Sequence, residues 1–295
     1  NGFLFIFGKR QILIYANATT PATMQLSDTV EGIGCIARDS IQTTSTDVLF
    51  LSNSGVRSLM RTIQEKSAPE RDLSKNIRND LMSAIAGETL TNVKSVYSER
   101  EAFYLLVTPS IDTTWCFDTK AYLPDGAARV TTWDSITPKS FLSRRDGSLY
   151  IGKNGYIGYY NTYQDYQSSY RMLYYTNHAD LGNQNVTSIL KKLSTVVIGG
   201  TNQVVTFKWG FDFKTNYLSD NATIPIQGVS YYGIAEYGAN ATTIAYYSDG
   251  VALQTLTVAA TGTGKVVQTG YESDINGTPL SIQKIEIQAK NGKMS

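Results

Sequence analysis

The sequence predicts an all-β protein, on the basis of three observations. The chain holds 24 Gly and 20 Tyr in 295 residues, and its short apolar runs are separated by polar turns, as is typical of strands and hairpins. Asp146-Gly147 and Asn154-Gly155 each lie between two such runs, which is a strong hairpin signal. Units of strand, turn and strand begin near residues 34, 93 and 140, and repeated antiparallel units of this size are typical of propeller blades. We therefore expect a partial or completed β-propeller with one helical insertion, followed by a C-terminal β-sandwich-like module.

The propeller part is predicted to consist of hairpins and meanders over residues 1–180. Apolar runs at 3–7 and 11–15 flank Gly8-Lys9-Arg10, which predicts a first hairpin, and the polar tract 17–31 is interpreted as a loop. The later strand groups cover residues 34–59, 93–133 and 140–160.

One amphipathic helix is predicted between the second and third strand groups, near residues 69–87. Its apolar stripe recurs every four residues, as one face of an α-helix does. Asp72 or Ser74 is the expected cap at the start, and Gly87 is expected to end the helix. The stripe consists of Leu73, Ile77, Leu81 and Ile85.

The C-terminal module is predicted to span residues 181–295. Gly199-Gly200 separates two strand-like runs and indicates a hairpin. Alternation of apolar and polar residues at 281–288 predicts the last strand. Further strands are expected at 231–232, 244–247 and 251–256.

The composition argues against several classes of function. The 26 basic and 25 acidic residues almost cancel, so tight DNA binding through phosphate neutralisation is not expected. The sequence has a single histidine, His178, which nearly excludes histidine-based metal sites and most histidine-dependent catalysis. No cofactor or metal is expected. Cys35 and Cys116 are interpreted as buried thiols in preference to a disulfide, because a chain of this length builds its own core. No run of apolar residues is long enough for a membrane-spanning helix.

Two patterns in the sequence could indicate a catalytic or phosphate-binding site, but turns account for both better. Asp118, Asp134 and Asp146 are candidates for a glycosidase carboxylate pair, but hairpin turns and strand ends account for them better. The run 262–265 reads Gly-Thr-Gly-Lys, but Val266 stands where a phosphate-binding loop needs Ser or Thr. The sequence therefore predicts that the protein is not an enzyme.

A cluster of tyrosines begins at the end of the fourth strand group. Such a stretch either forms a stacking platform for sugars or bases, or packs as a seam between domains or subunits. We interpret it as a seam and predict an interface. The predicted interface residues are Tyr159, Tyr163, Tyr166, Tyr170 and Tyr174.

Two stretches of the chain resemble the tail-nozzle, or tail-hub, proteins of short-tailed bacteriophages, the packaged-DNA stabilisation class. The first runs through Gly34-Cys35-Ile36-Ala37-Arg38-Asp39-Ser40 and continues in 48–59. The second runs from Tyr174 to Gly182 and continues in 191–193. The resemblance covers roughly residues 1–210 and lies in the style and order of the segments, with no invariant motif.

This resemblance implies a structural role in the virion tail, assembled in the cytoplasm of the bacterial host. A nozzle or hub subunit would extend the portal-adaptor channel, retain packaged DNA and pass it during ejection. The implied partners are further copies in a hexameric ring, the head-to-tail adaptor protein, and tailspike or tail needle or fibre proteins. Contact with the packaged DNA would be transient and non-specific. The resemblance assigns no gate residue; loops of the C-terminal module or the insertion 60–90 are the expected place.

Two other classes of function stay open at this stage. One is a glycan-hydrolysing β-propeller protein, which a convergent pair of carboxylates in a pocket would favour. The other is a glycan-binding module, which an exposed platform of Tyr or Trp would favour.

Overall fold

The computed structural model shows a chain built mainly of antiparallel strands. It describes residues 2–65, 72–181, 186–200, 202–225 and 251–292. Strands account for 52% and helices for 11% of the structure, which confirms the all-β class. No helix in these ranges is long and apolar enough to cross a membrane. The predicted strands at 231–232 and 244–247 lie outside the described residues.

The chain forms two compact units, residues 1–161 and residues 162–295. The sequence placed the boundary later, after Asp180. The segment between the two positions contributes a strand, Tyr170–Tyr175, that pairs with Gly270–Ile275 of the second unit.

The described residues of the first unit form four small antiparallel sheets, each made of strands consecutive in the chain. The first sheet holds β1 (Leu4–Phe7), β2 (Gln11–Ala16) and β3 (Gln25–Glu31), and the second holds β4 (Gln42–Thr43), β5 (Val48–Ser52) and β6 (Gly55–Ser58). The third holds β7 (Lys94–Ser98), β8 (Phe103–Thr108), β9 (Thr113–Asp118) and β10 (Arg129–Trp133), and the fourth holds β11 (Ser140–Ser143), β12 (Leu149–Lys153) and β13 (Tyr156–Tyr159). All of the strand groups predicted for this unit are present.

The four sheets share hydrophobic clusters pairwise, in chain order, because successive side chains of a strand point to opposite faces. In β5, Phe50 belongs to a cluster with the first sheet, whereas Leu49 and Leu51 belong to a cluster with the third. In β8, Leu106 belongs to the cluster with the second sheet, whereas Leu105 belongs to a cluster with the fourth. The second and third sheets are therefore buried on both faces. No sheet closes on itself within the described ranges.

The predicted helix is present but shorter than expected. Helix α1 (Leu59–Glu65) directly follows β6, and helix α2 (Arg78–Ala86) ends at Gly87 as predicted. Leu73 lies in a turn before α2 instead of in the helix, because its N–H donates to the Val56 carbonyl and its own carbonyl accepts from the Ala128 N–H. The apolar stripe is buried as predicted, except that Ile77 is only partly buried. Turns of 3-10 helix occur at Pro21–Thr23, Arg38–Ser40, Lys75–Ile77 and Pro109–Ile111.

The two predicted caps of this helix have other roles. The carboxylate of Asp72 is buried and accepts hydrogen bonds from the Arg78 guanidinium, at 2.9 Å from Nε. The Ser74 hydroxyl donates to Asp72 and accepts from the Val56 N–H at 3.0 Å. Neither side chain caps α2, because both make other hydrogen bonds. Asp72 binds the Arg78 side chain, and Ser74 binds the Val56 N–H of β6.

The interpretation of residues 17–31 as a loop was wrong for their second half. Residues 25–31 form β3, which pairs with β2 along its length. Their polar composition hides the strand, because only Val30 of β3 is buried.

In the second unit, the residues that the structure describes form two larger sheets that share one core. One sheet has the path β14 (Tyr170–Tyr175), β21 (Val266–Ile275), β17 (Val204–Phe211) and β18 (Leu218–Thr223), and β15 (Ala179–Asp180) also pairs with β21. In the other, β16 (Ser188–Gly200) pairs with β19 (Val251–Ala259), β20 (Thr263–Gly264) and β22 (Leu280–Asn291). Phe207, Trp209 and Tyr271 from the first sheet and Leu193 and Val197 from the second belong to the same buried cluster. Face-to-face packing of two sheets is the arrangement expected for a β-sandwich.

Candidate functional site

The outer face of the first sheet is apolar and open. Leu4 and Ile6 of β1 face the same side as Leu13 and Tyr15 of β2, and Leu26 of β3 lies opposite Tyr15. Leu4, Ile6 and Leu26 are each at least 40% exposed. The opposite face of this sheet is buried, so the sheet carries apolar side chains on both sides. An apolar face of this kind indicates a contact surface.

The outer face of the fourth sheet has the same character. Leu142, Tyr150 and Tyr159 lie in register across its three strands, and Ile157 lies two residues from Tyr159 on the same face. Ile157 is 77% exposed and Leu142 is 58% exposed. We call the two surfaces the N-terminal end face, on β1–β3, and the C-terminal end face, on β11–β13.

The five predicted interface tyrosines fall into three places. Tyr159 lies on the C-terminal end face, where its ring centroid is 5.2 Å from that of Tyr150. Tyr163 and Tyr166 lie in the segment before β14 and are exposed. Tyr170 and Tyr174 lie on one face of β14, and Tyr174 stacks on the buried Tyr271. The helix-like spacing of these residues therefore belongs to loops and strands, and their role in an interface stays a prediction.

A polar cleft of about 450 Å³ lies in the second unit, at one end of the sheet that contains β21. Four segments form it: the start of β14, the turn before β17, the end of β21, and the turn that follows β21. Its lining residues are Ser169, Arg171, Asn202, Gln203, Val204, Thr206, Glu272, Ser273, Asp274, Asn276 and Thr278.

Glu272 is the buried centre of this cleft. Its side chain is 4% exposed and accepts hydrogen bonds from groups on two strands, β14 and β17. The Arg171 guanidinium of β14 lies 2.5 Å from Oε2, and the Lys208 ammonium of β17 lies 2.7 Å from Oε1. The Tyr175 hydroxyl donates to Oε1 at 2.5 Å. Arg171 also approaches Asp274 at 3.5 Å, so one guanidinium bridges two carboxylates.

The partners of Glu272 keep it ionised. Burial raises the pKa of this carboxyl, but hydrogen bonds from Lys208, Tyr175 and Arg171 and the charge of Lys208 together lower its pKa to about 2. The hydrogen bond to Glu272 in turn raises the pKa of Arg171 and of Lys208. A general acid for glycoside hydrolysis needs the opposite, a carboxyl whose pKa is raised.

Of the carboxylates singled out in the sequence, Asp118 ends β9, Asp134 follows the end of β10, and Asp146 lies in the turn between β11 and β12. Asp118 accepts the N–H of Lys120 and Asp146 accepts the N–H of Ser148, as turn residues do. The described part of the chain contains no group of three or more His, Cys, Asp or Glu that would hold a metal ion.

The histidine and the cysteines lie in ordinary packed surroundings. The His178 ring packs on Phe213, with ring centroids 4.2 Å apart. Cys35 is a buried free thiol and Cys116 a half-buried one. Burial raises the pKa of Cys116 to about 12, so this thiol is unreactive at neutral pH.

Sequence reasoning missed the Glu272 cleft altogether. Its charged groups stand at 171, 208, 272 and 274, and only strand pairing brings them together. One local signal is Glu272 itself, which stands between Tyr271 and Ser273 in the strand-like run 266–275, because a glutamate buried in a strand needs partners.

Comparisons with known proteins add little to this geometry. No protein-family model matches the sequence, and no curated protein matches it. Among solved structures, the chain is similar to a Cry1Da tryptic core variant of Bacillus thuringiensis, at 10% identity and a TM-score of 0.24. That match covers 95% of this chain and 48% of the other, so this chain spans about half the length of the toxin core. A likeness of this size carries no argument about fold or function.

Proposed function

We propose that this chain is a structural subunit of the tail of a short-tailed bacteriophage. In this role it is a nozzle or hub protein that extends the portal-adaptor channel, retains packaged DNA and passes it during ejection. Its partners are further copies in a hexameric ring, the head-to-tail adaptor, and the tailspike or tail needle or fibre proteins.

The observation that carries the proposal is the pair of apolar end faces on the first unit. Between successive sheets, an apolar face of one sheet packs on an apolar face of the next. The first and the fourth sheet, which lie at the two ends of this stack of sheets, also carry an apolar face on the outside. Ile6 and Ile157 are exposed there. Surfaces of this kind favour a protein that interlocks with others through rigid β modules.

Under this proposal, the four sheets are blades of a β-propeller. Each is an antiparallel meander of three or four strands, and each packs on the next in chain order. Propeller blades have this organisation around a central axis. The helical insertion packs Leu81 and Ile85 between the second and third blades.

The two end faces differ in sequence, so a contact between them is head to tail. The N-terminal end face of one copy packs on the C-terminal end face of the next, and a repeated contact of this type closes into a ring when the rotation allows. The near-zero net charge suits a channel through which DNA must slide without being gripped.

The first test is the native mass of the protein, measured by light scattering and by negative-stain imaging, alone and with candidate adaptor proteins. We expect a hexameric ring, or a monomer that assembles when the adaptor is added. A monomer that stays indifferent to every virion protein contradicts the proposal.

A further inference from the structure

We infer that the Glu272 cleft of the second unit is a binding site for an uncharged saccharide. This site goes beyond the proposed tail role, and its argument uses only residues of the second unit. The cleft presents hydroxyl, amide, carboxylate and guanidinium groups side by side. Saccharide hydroxyls both donate and accept hydrogen bonds, so they match a surface on which donors and acceptors alternate.

The charges of the cleft cancel. Glu272 and Asp274 contribute two negative charges, while Arg171 and the adjacent Lys208 contribute two positive ones. Each charge has a partner within 3.5 Å, so none is left to attract a strongly anionic or cationic ligand. A neutral polar ligand is the class that such a site favours.

The polar groups are held in place before any ligand arrives. Glu272 fixes Arg171, and Gln203 accepts from the Gly200 N–H at 3.1 Å while its amide donates to Ser273 at 3.3 Å. Ser273 donates in turn to the Val204 carbonyl at 2.8 Å. Ordered side chains lose little entropy on binding, which favours affinity.

The cleft offers little to an apolar ligand or an apolar peptide side chain. Among the lining residues within the described ranges, Val204 is the only apolar one. The volume of about 450 Å³ falls within the usual range for small-molecule sites, roughly 300–1,000 Å³. It is therefore large enough for a short oligosaccharide but lacks the hydrophobic wall of a peptide-binding groove.

A segment that contains two exposed tyrosines is hydrogen-bonded to a turn at the rim. Gly277 donates its N–H to the Tyr163 carbonyl at 2.8 Å, and the Gln164 amide donates to the lining residue Asn276 at 2.7 Å. These bonds hold the 162–169 segment against the turn that closes the cleft. Tyr163 is 47% and Tyr166 is 65% exposed, so this segment offers aromatic surface on which the apolar face of a sugar ring can pack.

The same geometry argues for binding without hydrolysis. Two carboxylates lie in one cleft, as glycosidases require. However, the Arg171 guanidinium lies between the two carboxylates, and Glu272 stays ionised and is not set up to donate a proton. We therefore expect the saccharide to leave the cleft unchanged.

Saturation-transfer NMR and calorimetry on the full chain test this inference, with maltotriose, cellotriose and chitotriose as neutral probes. We expect at least one of the three to bind, and the anionic sialyllactose to bind more weakly. Asp274→Asn is expected to weaken binding at least about tenfold, because a hydrogen bond to a charged group contributes that much. Asp274 is exposed, so this variant leaves the core of the sheet intact.

Asp220→Asn is the matched control, because it makes the same change at an exposed position on β18 outside the cleft. Tyr163→Ala is expected to weaken binding, and Tyr122→Ala, at an exposed tyrosine of the first unit outside both end faces, is expected to leave it unchanged. Failure of all three neutral probes to bind overturns the inference. Equal binding by the Asp274 and Asp220 variants also overturns it, as does preference for sialyllactose or release of a shorter sugar. None of these results bears on ring assembly, which the native mass tests separately.

Discussion

The two units of this chain use apolar residues in opposite ways. The first unit divides its core among three clusters between four small sheets, and it leaves apolar side chains on both end faces. The second unit gathers one core between two sheets and places charged and amide groups in an outer cleft. The first arrangement is open to continuation by another sheet, whereas the second is closed and presents a polar site. Under our two proposals, assembly belongs to the first unit and ligand recognition to the second.

The largest expected effect comes from the middle of the stack. Leu105→Ala and Leu106→Ala each remove a fully buried side chain, but on opposite faces of β8. We expect each to lower the free energy of unfolding by about 2–5 kcal/mol. Denaturant unfolding followed by circular dichroism measures both.

Leu142→Ala on the C-terminal end face is the control for these two variants. This leucine is exposed in the isolated chain, so its removal is expected to cost less than about 0.5 kcal/mol. If Leu105→Ala or Leu106→Ala is as mild as the control, one face of β8 is not the buried layer described here.

A smaller effect is expected at the charged centre of the second unit. Glu272→Gln leaves Arg171 and Lys208 without their shared carboxylate, and we expect a loss of about 1–3 kcal/mol in unfolding free energy. Asp220→Asn is expected to change it by less than about 0.5 kcal/mol. Equal stability of the two variants contradicts the account of Glu272 as an organising residue.

The pH dependence of stability follows from the same carboxylate. The pKa of Glu272 is lowered from 4.5 to about 2 in the folded protein, so its contribution is fully present above pH 4.5 and is lost as the pH falls towards 2. Thermal unfolding between pH 5 and pH 2 should therefore show a falling midpoint in the wild type. Hydrogen bonds from Arg38 and Lys94 lower the pKa of Asp39 to about 2 as well, so Asp39 adds to the fall of the midpoint with pH.

Glu272→Gln is expected to reduce the fall of the unfolding midpoint between pH 5 and pH 2 without abolishing it, because Asp39 remains. An unchanged fall in this variant means that Glu272 is protonated alike in the folded and unfolded chain, which contradicts the lowered pKa.

Local sequence signals predicted the elements that local chemistry determines. The Asp146-Gly147 and Asn154-Gly155 turns lie between β11, β12 and β13 as expected, with both glycines at positive φ. The stripe of α2 was also readable, because a four-residue period is a property of one segment. Leu73 escaped the prediction because its partners, Val56 and Ala128, come from distant parts of the chain.

The Glu272 cleft could not be predicted from local signals for the same reason, because its residues come from distant parts of the chain. β14 looked like part of a tyrosine cluster, and only its pairing with β21 shows that Arg171 reaches Glu272. The end faces are likewise a property of the whole stack. Ile157 is one more apolar residue in the sequence, and its exposure is known only once all four sheets are in place.

The smallest effects on stability and the sharpest effect on assembly are expected at the two end faces. Ile6→Lys and Ile157→Lys each change one exposed side chain, so the isolated chain should keep its stability within about 0.5 kcal/mol. Each change places a charge in a head-to-tail contact, which should block assembly from that face alone. Thr132→Lys, at an exposed position of β10 outside both end faces, is the control.

The most direct test of the account is the native mass of these variants, separately and mixed, by sedimentation velocity under conditions in which the wild type assembles. We predict that Ile6→Lys and Ile157→Lys are each monomeric, that their equimolar mixture forms a one-to-one dimer through the two intact faces, and that Thr132→Lys assembles like the wild type. Assembly of either end-face variant on its own to the wild-type mass contradicts the claim that these faces join the copies.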